Sequence, residues 1–175
     1  MNSVDVLVLH GSPGAGKSTL ARAISELLRA SGAPHGVIDM DELSLIDPSP
    51  GHSFAIANLR AIWPNYAAVA NVKIIISTVV ADEPELRELH EAMPGAAIMV
   101  CELTAPVEVL KERVTAREPD EFWRSRLRGY VDLHHSRADL EQIRDLLVST
   151  HEKPVDATAR EILQVTGWES PESER

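Results

Sequence analysis

Eight residues near the start of the chain, Gly11-Ser12-Pro13-Gly14-Ala15-Gly16-Lys17-Ser18, have the types and spacing to hold a phosphate. They fit the pattern G-x-x-x-x-G-K-[ST], in which backbone amides cradle the phosphate oxygens. Three glycines let those amides turn inward with no Cβ in the way. Lys17 can reach the β- and γ-phosphates of a nucleotide, and the Ser18 hydroxyl can ligate Mg²⁺. The flanks suit the task. The apolar run over 4–9 reads as a buried strand. Residues 17–29, with Leu20, Ala23, Ile24, Leu27 and Leu28 on one face, read as a helix. A strand, a glycine turn and a helix N-terminus together make a site for an anion.

Other residues could complete a site for group transfer. Asp39 and Asp41, two apart in extended chain, point to the same side. Beside a nucleotide and its metal, such carboxylates can orient a hydroxyl, accept its proton or steady the metal's waters. The plainer reading has Asp41 capping a short turn over 42–45 and Asp39 ending a strand. Arg60 is the only charged residue between Pro48 and Val72 and should need a partner, either an anionic or polar substrate or the two aspartates. Trp63 and Tyr66, at helical spacing beyond it, read as core rather than as a stacking platform. Arg113 and Arg117 share a helix face, and Arg124, Arg126 and Arg128 follow in a locally positive stretch. Mobile arginines of this kind stabilise the charge of a phosphoryl group in transfer. The seven histidines show no metal-binding pair with a third ligand, and His134 and His135 read as surface residues. The esterase-type pattern G-x-S-x-G is absent.

Elements that would position these residues alternate along the chain. Strands are expected over 4–9, 36–39, 72–78, 96–103 and 146–150. Helices are expected over 17–29, 53–69 (bent or split by Pro64), 83–92, 106–117, 130–144 and 157–165. Such alternation predicts an α/β, three-layer α/β/α sandwich around a parallel sheet, with ligands bound beyond the carboxyl ends of the strands. The arginine-rich 118–128 reads as a lid, residues 1–168 as a single domain and 169–175 as a disordered polar tail.

The bulk properties limit the partners. A net charge of −10 opposes nucleic acid and acidic membranes as main partners, though a small phosphorylated ligand responds to local donors. The single cysteine, Cys101, sits in an apolar run, reads as a buried structural thiol and suits a reducing cytoplasmic setting. The start shows neither a basic leader nor an apolar run long enough for a membrane helix. A monomer or homodimer is expected.

With Gly11 to Thr19, Asp39-Met40-Asp41, Arg113-Val114-Thr115-Ala116-Arg117 and Pro154-Val155-Asp156-Ala157-Thr158, the chain resembles the P-loop small-molecule and nucleotide kinases. That group includes adenylate, shikimate, gluconate and adenylylsulfate kinases and chloramphenicol phosphotransferase. The resemblance runs from Val4 to about Trp168. It implies a P-loop NTPase fold with a five-stranded sheet in the order 2-3-1-4-5, and ATP with Mg²⁺ in the glycine turn. It also implies adenine between the Arg113/Arg117 helix and Pro154–Val155, and an acceptor between Asp39, Asp41, Arg60 and a lid that includes Arg124. One departure stands out. The third strand ends without an acid, so Asp39 or Asp82 would complete the metal side through water. The function these features imply is transfer of the γ-phosphate of ATP to a hydroxyl of a small polar metabolite or antibiotic-like compound. A nucleoside or nucleotide kinase is the alternative, weakened because 48–72 offers one arginine for a phosphate clamp. A regulatory NTPase is the second alternative.

Overall fold

The computed structural model describes residues 4–168, and the tail expected at 169–175 lies outside them. Five strands, β1 (Val4–His10), β2 (His35–Asp39), β3 (Lys73–Ser77), β4 (Ala96–Thr104) and β5 (Leu146–Ser149), form a parallel sheet in the order β2-β3-β1-β4-β5. This is the order the resemblance implies. Central β1 is apolar from Val6 to Leu9 because helices cover both faces of the sheet. Its alternate side chains part into two cores. Leu7 and Leu9 pack with Ile75 and Leu103 beneath α1 (Lys17–Ala30), α4 (Val107–Arg117), α5 (Glu121–His135) and α7 (Val155–Thr166). Val6 and Val8 pack with Ile74 and Ile76 against α2 (His52–Ala67), α3 (Glu83–Ala92) and α6 (Leu140–Ile143). Cys101 lies in the first core, where burial pushes its thiol up to about 12, an inert core sulfur as its apolar run suggests.

Three local expectations are corrected. Pro64 does not split α2: it sits in the last turn, where its missing N–H forfeits a single helix bond. The flanking register is fixed by buried Leu59 and by Trp63, whose indole N–H donates to Pro94 O at 3.1 Å. The arginine-rich stretch read as a lid is helical from Glu121 onward. Asp120 caps α5 by accepting from Trp123 N at 2.9 Å, and the helix runs unbroken through Arg124, Arg126 and Arg128. A narrow stripe, Leu127, Val131 and His134 at helical spacing, is enough to seat it. His134 therefore faces inward and is buried, against the surface position expected for it. The helix expected to run to Arg144 also ends early, at His135, and the chain turns before the short α6.

The strand register brings chemistry to one edge. Asp39 pairs with Ser77, Ser77 with Leu9, and His10 with Glu102. Beyond the strand ends Met40 N donates to Ser77 O and Thr78 N to Leu9 O, so the ladder extends into the loops. The row is closed by a buried polar cluster. His10 Nδ1 accepts from Val80 N at 2.9 Å, which fixes the turn after β3. Glu102 takes Arg144 on one oxygen at 2.6 Å and His134 Nε2 on the other at 3.3 Å. Burial alone would raise the Glu102 carboxyl, but these two hydrogen bonds hold it below the usual range, so it is charged and matched. Burial, and then repulsion from His134, push His10 down to about 3.

The native His10 thus refuses a proton that the unfolded chain takes up from pH 6.5 downward. The unfolded state binds more protons across that window, so stability falls as pH falls through it. His10→Asn keeps an acceptor for Val80 N–H but cannot titrate. Urea unfolding midpoints measured from pH 7 to pH 4 are expected to fall less steeply for His10→Asn than for the wild type.

Candidate functional site

The glycine turn between β1 and α1 is seated against two other elements. A Cβ on Gly11 would lie 2.5 Å from Leu103 O in β4, and one on Gly14 would lie 2.8 Å from Leu110 O in α4. Both glycines have positive φ, 150° and 81°, so the side chain is excluded by contact as well as by conformation. Lys17 opens α1 and folds back over the turn. Its Nζ donates to Gly11 O at 2.8 Å and to Ser12 O at 3.1 Å. Burial pulls the ammonium down to about 8, Asp41 pulls it up, and the nearby Arg117 lowers it further. Ser18 Oγ donates to Asp39 Oδ2 at 3.2 Å, and Asp39 Oδ1 accepts from Asp41 N at 3.0 Å.

Beside them opens a cradle of about 170 Å³, which Gly11, Ser12 and Asp39 support without lining it. Gly14, Gly16, Lys17, Ser18 and Thr19 form one side, with Asp41, Thr78 and Arg117 facing them. Pro13 lies on its rim, while Ala15 is fully buried beneath the turn. The donor set suits a polyphosphate: exposed amides at a helix N-terminus plus two cations. Ser18 Oγ beside a carboxylate supplies the hard oxygen donors that Mg²⁺ takes. Asp82 does not line the cradle, and its side chain caps α3 by accepting from Glu85 N at 2.9 Å. Asp41 stands at the N-terminus of a 3-10 turn (Glu42–Ser44) but makes no capping bond with its side chain, which leaves the carboxylate free to face the cradle.

A second cavity, of about 340 Å³, adjoins the cradle and shares Gly14, Gly16, Thr19 and Arg117 with it. Its other walls are Leu20 and Arg113 on one side and Thr150, Lys153, Val155 and Thr158 on the other. The size and mixed lining fit a purine nucleoside. Arg113 is braced rather than mobile: it donates to Gly14 O at 3.2 Å, Thr150 Oγ1 at 2.9 Å and Thr150 O at 2.9 Å. It therefore locks the glycine turn to the end of β5. Arg117, one turn on, is exposed and lines both spaces.

Not every expected residue joins this site. Pro154 precedes α7 and does not line the cavity, although its neighbours Lys153 and Val155 do. Arg124 donates to Glu118 O, Pro119 O and Glu121, and so clasps the α4–α5 junction. Arg60 stands exposed on α2 and lines none of the cavities beside the glycine turn. Being exposed to solvent, it does not need the partner its apolar surroundings seemed to demand. Sequence reasoning missed Thr150 and Lys153, which carry no motif, quoted Thr158 within the Pro154–Thr158 segment without a site role, and missed the His10–Glu102–His134 cluster, whose members lie far apart in the chain.

Comparison with known proteins agrees with this geometry. A search of curated protein sequences finds no match. Among solved structures, an APS kinase from Mycobacterium tuberculosis, in complex with AMPPNP and APS, superposes with a TM-score of 0.68 at 17% identity, covering 95% of this chain and 99% of that one. A gluconokinase from Sinorhizobium meliloti gives a TM-score of 0.65 at 20% identity over 96% and 94% of the two chains. A shikimate kinase from Acinetobacter baumannii, in complex with shikimate, gives 0.60 at 18% identity over 94% and 93%. At these identities the likeness speaks for the fold. The family model described as chloramphenicol phosphotransferase-like protein matches residues 4–166, nearly all of the described chain, and the protein belongs to that family.

Proposed function

We propose that the chain moves the γ-phosphate of ATP onto a hydroxyl of a small-molecule acceptor. The observation that carries this reading is the continuity of the two spaces around the glycine turn. A nucleoside-sized cavity opens into a cradle that holds Lys17, Ser18, Asp41 and Arg117 together. A binding module needs the first space, whereas transfer also needs a carboxylate facing the phosphates. Asp41 supplies it.

Each residue has a role that follows from its position. The turn amides and Lys17 hold the phosphates, Lys17 exchanging its two carbonyl partners for phosphate oxygens. Ser18 and Asp39 would hold Mg²⁺, which, when bound, offsets charge on the phosphate oxygens. Asp41 orients the acceptor hydroxyl and takes its proton. Arg117, uncommitted at the end of α4, steadies the charge of the group in transfer. Arg113 keeps the turn in place. Among the described residues, Arg137 is already paired with Asp139 at 2.9 Å and Arg60 lines none of the spaces beside the glycine turn, so no pair of free arginines is at hand for a phosphate clamp; this disfavours a nucleoside monophosphate as acceptor.

Lys17→Ala is expected to lower phosphoryl transfer at least about 100-fold while the circular dichroism spectrum and melting temperature stay near those of the wild type. A mass-spectrometric screen for transferred γ-phosphate over aminoglycoside, phenicol, nucleoside and central-metabolite alcohols supplies the assay. Asp41→Asn should cost kcat about 100-fold or more and change the ATP dissociation constant little, because the carboxylate acts on the acceptor. Equal losses in both would place the base elsewhere.

The Lys17 ammonium gives a pH signature. In the free protein it loses its proton from about pH 8 upward, and phosphate oxygens beside it restore the proton. Above pH 8, as long as the bound ammonium keeps its proton, ATP binding takes up a proton, so affinity should fall by up to about tenfold per pH unit. Calorimetry of ATP binding at pH 8.5 in buffers of different ionisation enthalpy should show that uptake, and Lys17→Ala should abolish it.

A further inference from the structure

Ser77 lines the phosphate cradle, yet none of the roles above uses it. It is the last residue of β3, at the strand end that lacks an acid. The register sets Asp39 of β2 on one side of it and Leu9 of β1 on the other. Side chains paired across a parallel ladder point to the same face of the sheet. Leu9 lies in the core beneath α1, so Asp39 and Ser77 also face α1, whose first turn carries Lys17 and Ser18. The bond from Ser18 Oγ to Asp39 Oδ2 at 3.2 Å shows that facing for Asp39. Ser77 is therefore the neighbour of Asp39 on the side of the cradle that suits a metal.

The Ser77 hydroxyl is uncommitted and open to the cradle. The residue is only 3% exposed. Among the described residues its Oγ has no hydrogen-bond partner, and it is not one of the unmatched polar atoms sealed off from solvent, which are His10 Nε2, His52 Nε2 and His134 Nδ1. An unmatched atom that is not sealed keeps some free surface, and the space Ser77 lines is the cradle. The hydroxyl of Thr78, next in the chain, instead spends its proton on Val79 O at 3.3 Å. The backbone around Ser77 is held from both sides. Ser77 O accepts from Met40 N at 3.0 Å, and Thr78 N donates to Leu9 O at 3.1 Å. Val80 is tied by His10 at 2.9 Å and by Arg137 at 2.6 Å. A neutral group can orient a ligand sphere only when its own position is fixed, and these bonds fix it.

A metal-bound water turns its hydrogens outward, so the groups around it must accept. A carboxylate does so with charge, a hydroxyl with a lone pair and no charge. The electrostatics of the cradle favour the second at this position. Two cations, Lys17 and Arg117, already stand near two carboxylates, Asp39 and Asp41. A third carboxylate would tip that balance against an entering polyphosphate. We propose that Ser77 takes the place of the acid missing from the end of β3, its hydroxyl accepting a hydrogen bond from a water on the Mg²⁺ that Ser18 and Asp39 would hold, and so strengthening metal binding without added charge. This rests on the nucleotide and metal roles in the phosphotransfer reading above. Ser77 acts through that water and is a positioning residue.

The test reads the metal rather than turnover. Calorimetry gives the affinity of the full chain for the nonhydrolysable analogue AMPPNP, once with Mg²⁺ and once in EDTA, and the ratio of the two is the metal's contribution. Ser77→Ala should lower that ratio about tenfold, with the affinity in EDTA left at the wild-type value. If Ser77→Ala does not fold, Ser77→Cys serves, because a thiol is a weak acceptor and should lower the ratio likewise. Ser77→Asp should raise the ratio at least about tenfold, since the added charge repels the bare nucleotide and attracts the metal. A ratio that the Ala or Cys variant leaves unmoved, an equal loss of affinity with and without metal, or an Asp variant with the wild-type ratio would overturn the proposal. The expected ratios in a protein that transfers phosphate to no acceptor would sink the transferase reading alone. Unmoved ratios in an active transferase would sink this proposal alone, and failure to bind AMPPNP at all would sink both.

Discussion

A lysine ammonium folded back onto the carbonyls of its own glycine turn is the contact on which the site depends. Lys17 Nζ donates to Gly11 O and Ser12 O, and so is held over the turn at the cradle that Lys17 itself lines. A cation already in place there meets an entering anion without a search through side-chain rotamers. The arrangement holds only because the turn itself cannot slide. Gly11 is pressed against Leu103 O and Gly14 against Leu110 O, while Arg113 pins Gly14 O to Thr150. The cradle is therefore as rigid as the junction of β4, α4 and β5. Its rigidity comes from elements that no ligand touches.

The sheet transmits the same order to the acceptor side. Because the strands are parallel and in register, Asp39, Ser77 and Leu9 end in one row, and His10 lies opposite Glu102 one step on. The turn after β3 is held at Val80 by His10 from the centre of the sheet and by Arg137 from the end of α5. Four titratable groups share that small volume. It is tolerable because each answers another: Glu102 is charged against Arg144, and His10 stays neutral beside His134. Burial here enforces one proton arrangement instead of leaving several.

How far the sequence reveals this depends on whether a signal is local. The glycine turn, its strand and its helix were legible because three glycines, a lysine and a serine at fixed spacing have one common physical use. The strand order came from the resemblance, since periodicity finds strands but does not order them. The start of α5 was misread because the few apolar residues of Glu118 to Arg128, Phe122, Trp123 and Leu127, set out no continuous helical stripe, yet a cap at Asp120 and three inward side chains suffice for a helix. His134 was misplaced for the same reason: in a stretch this polar, one histidine at the right spacing does not look like core. Arg60 failed in the opposite direction. Its apolar neighbours implied burial, whereas α2 buries only Ala55, Ile56, Leu59 and Trp63 and leaves the arginine in water. The cluster of His10, Glu102 and Arg144 spans most of the chain and exists only once β1 and β4 pair.

The arginines show how one residue type divides its labour by its partners. Arg113, Arg124, Arg137 and Arg144 each donate to carbonyls or carboxylates of the chain, and a guanidinium so engaged serves as a brace. Breaking those bonds to follow a moving charge would sacrifice what holds the glycine turn, the α4–α5 junction, the Val80 turn and Glu102. Arg117 stands at the end of α4, exposed, close enough to Lys17 to lower its affinity for a proton, and on the lining of both the 340 Å³ cavity and the cradle. Two cations that repel each other across an open cradle are each relieved when a polyanion enters between them. In the transfer proposed above, that relief would strengthen as negative charge accumulates on the moving group, so the repulsion between Lys17 and Arg117 would favour the transition state more than the resting protein.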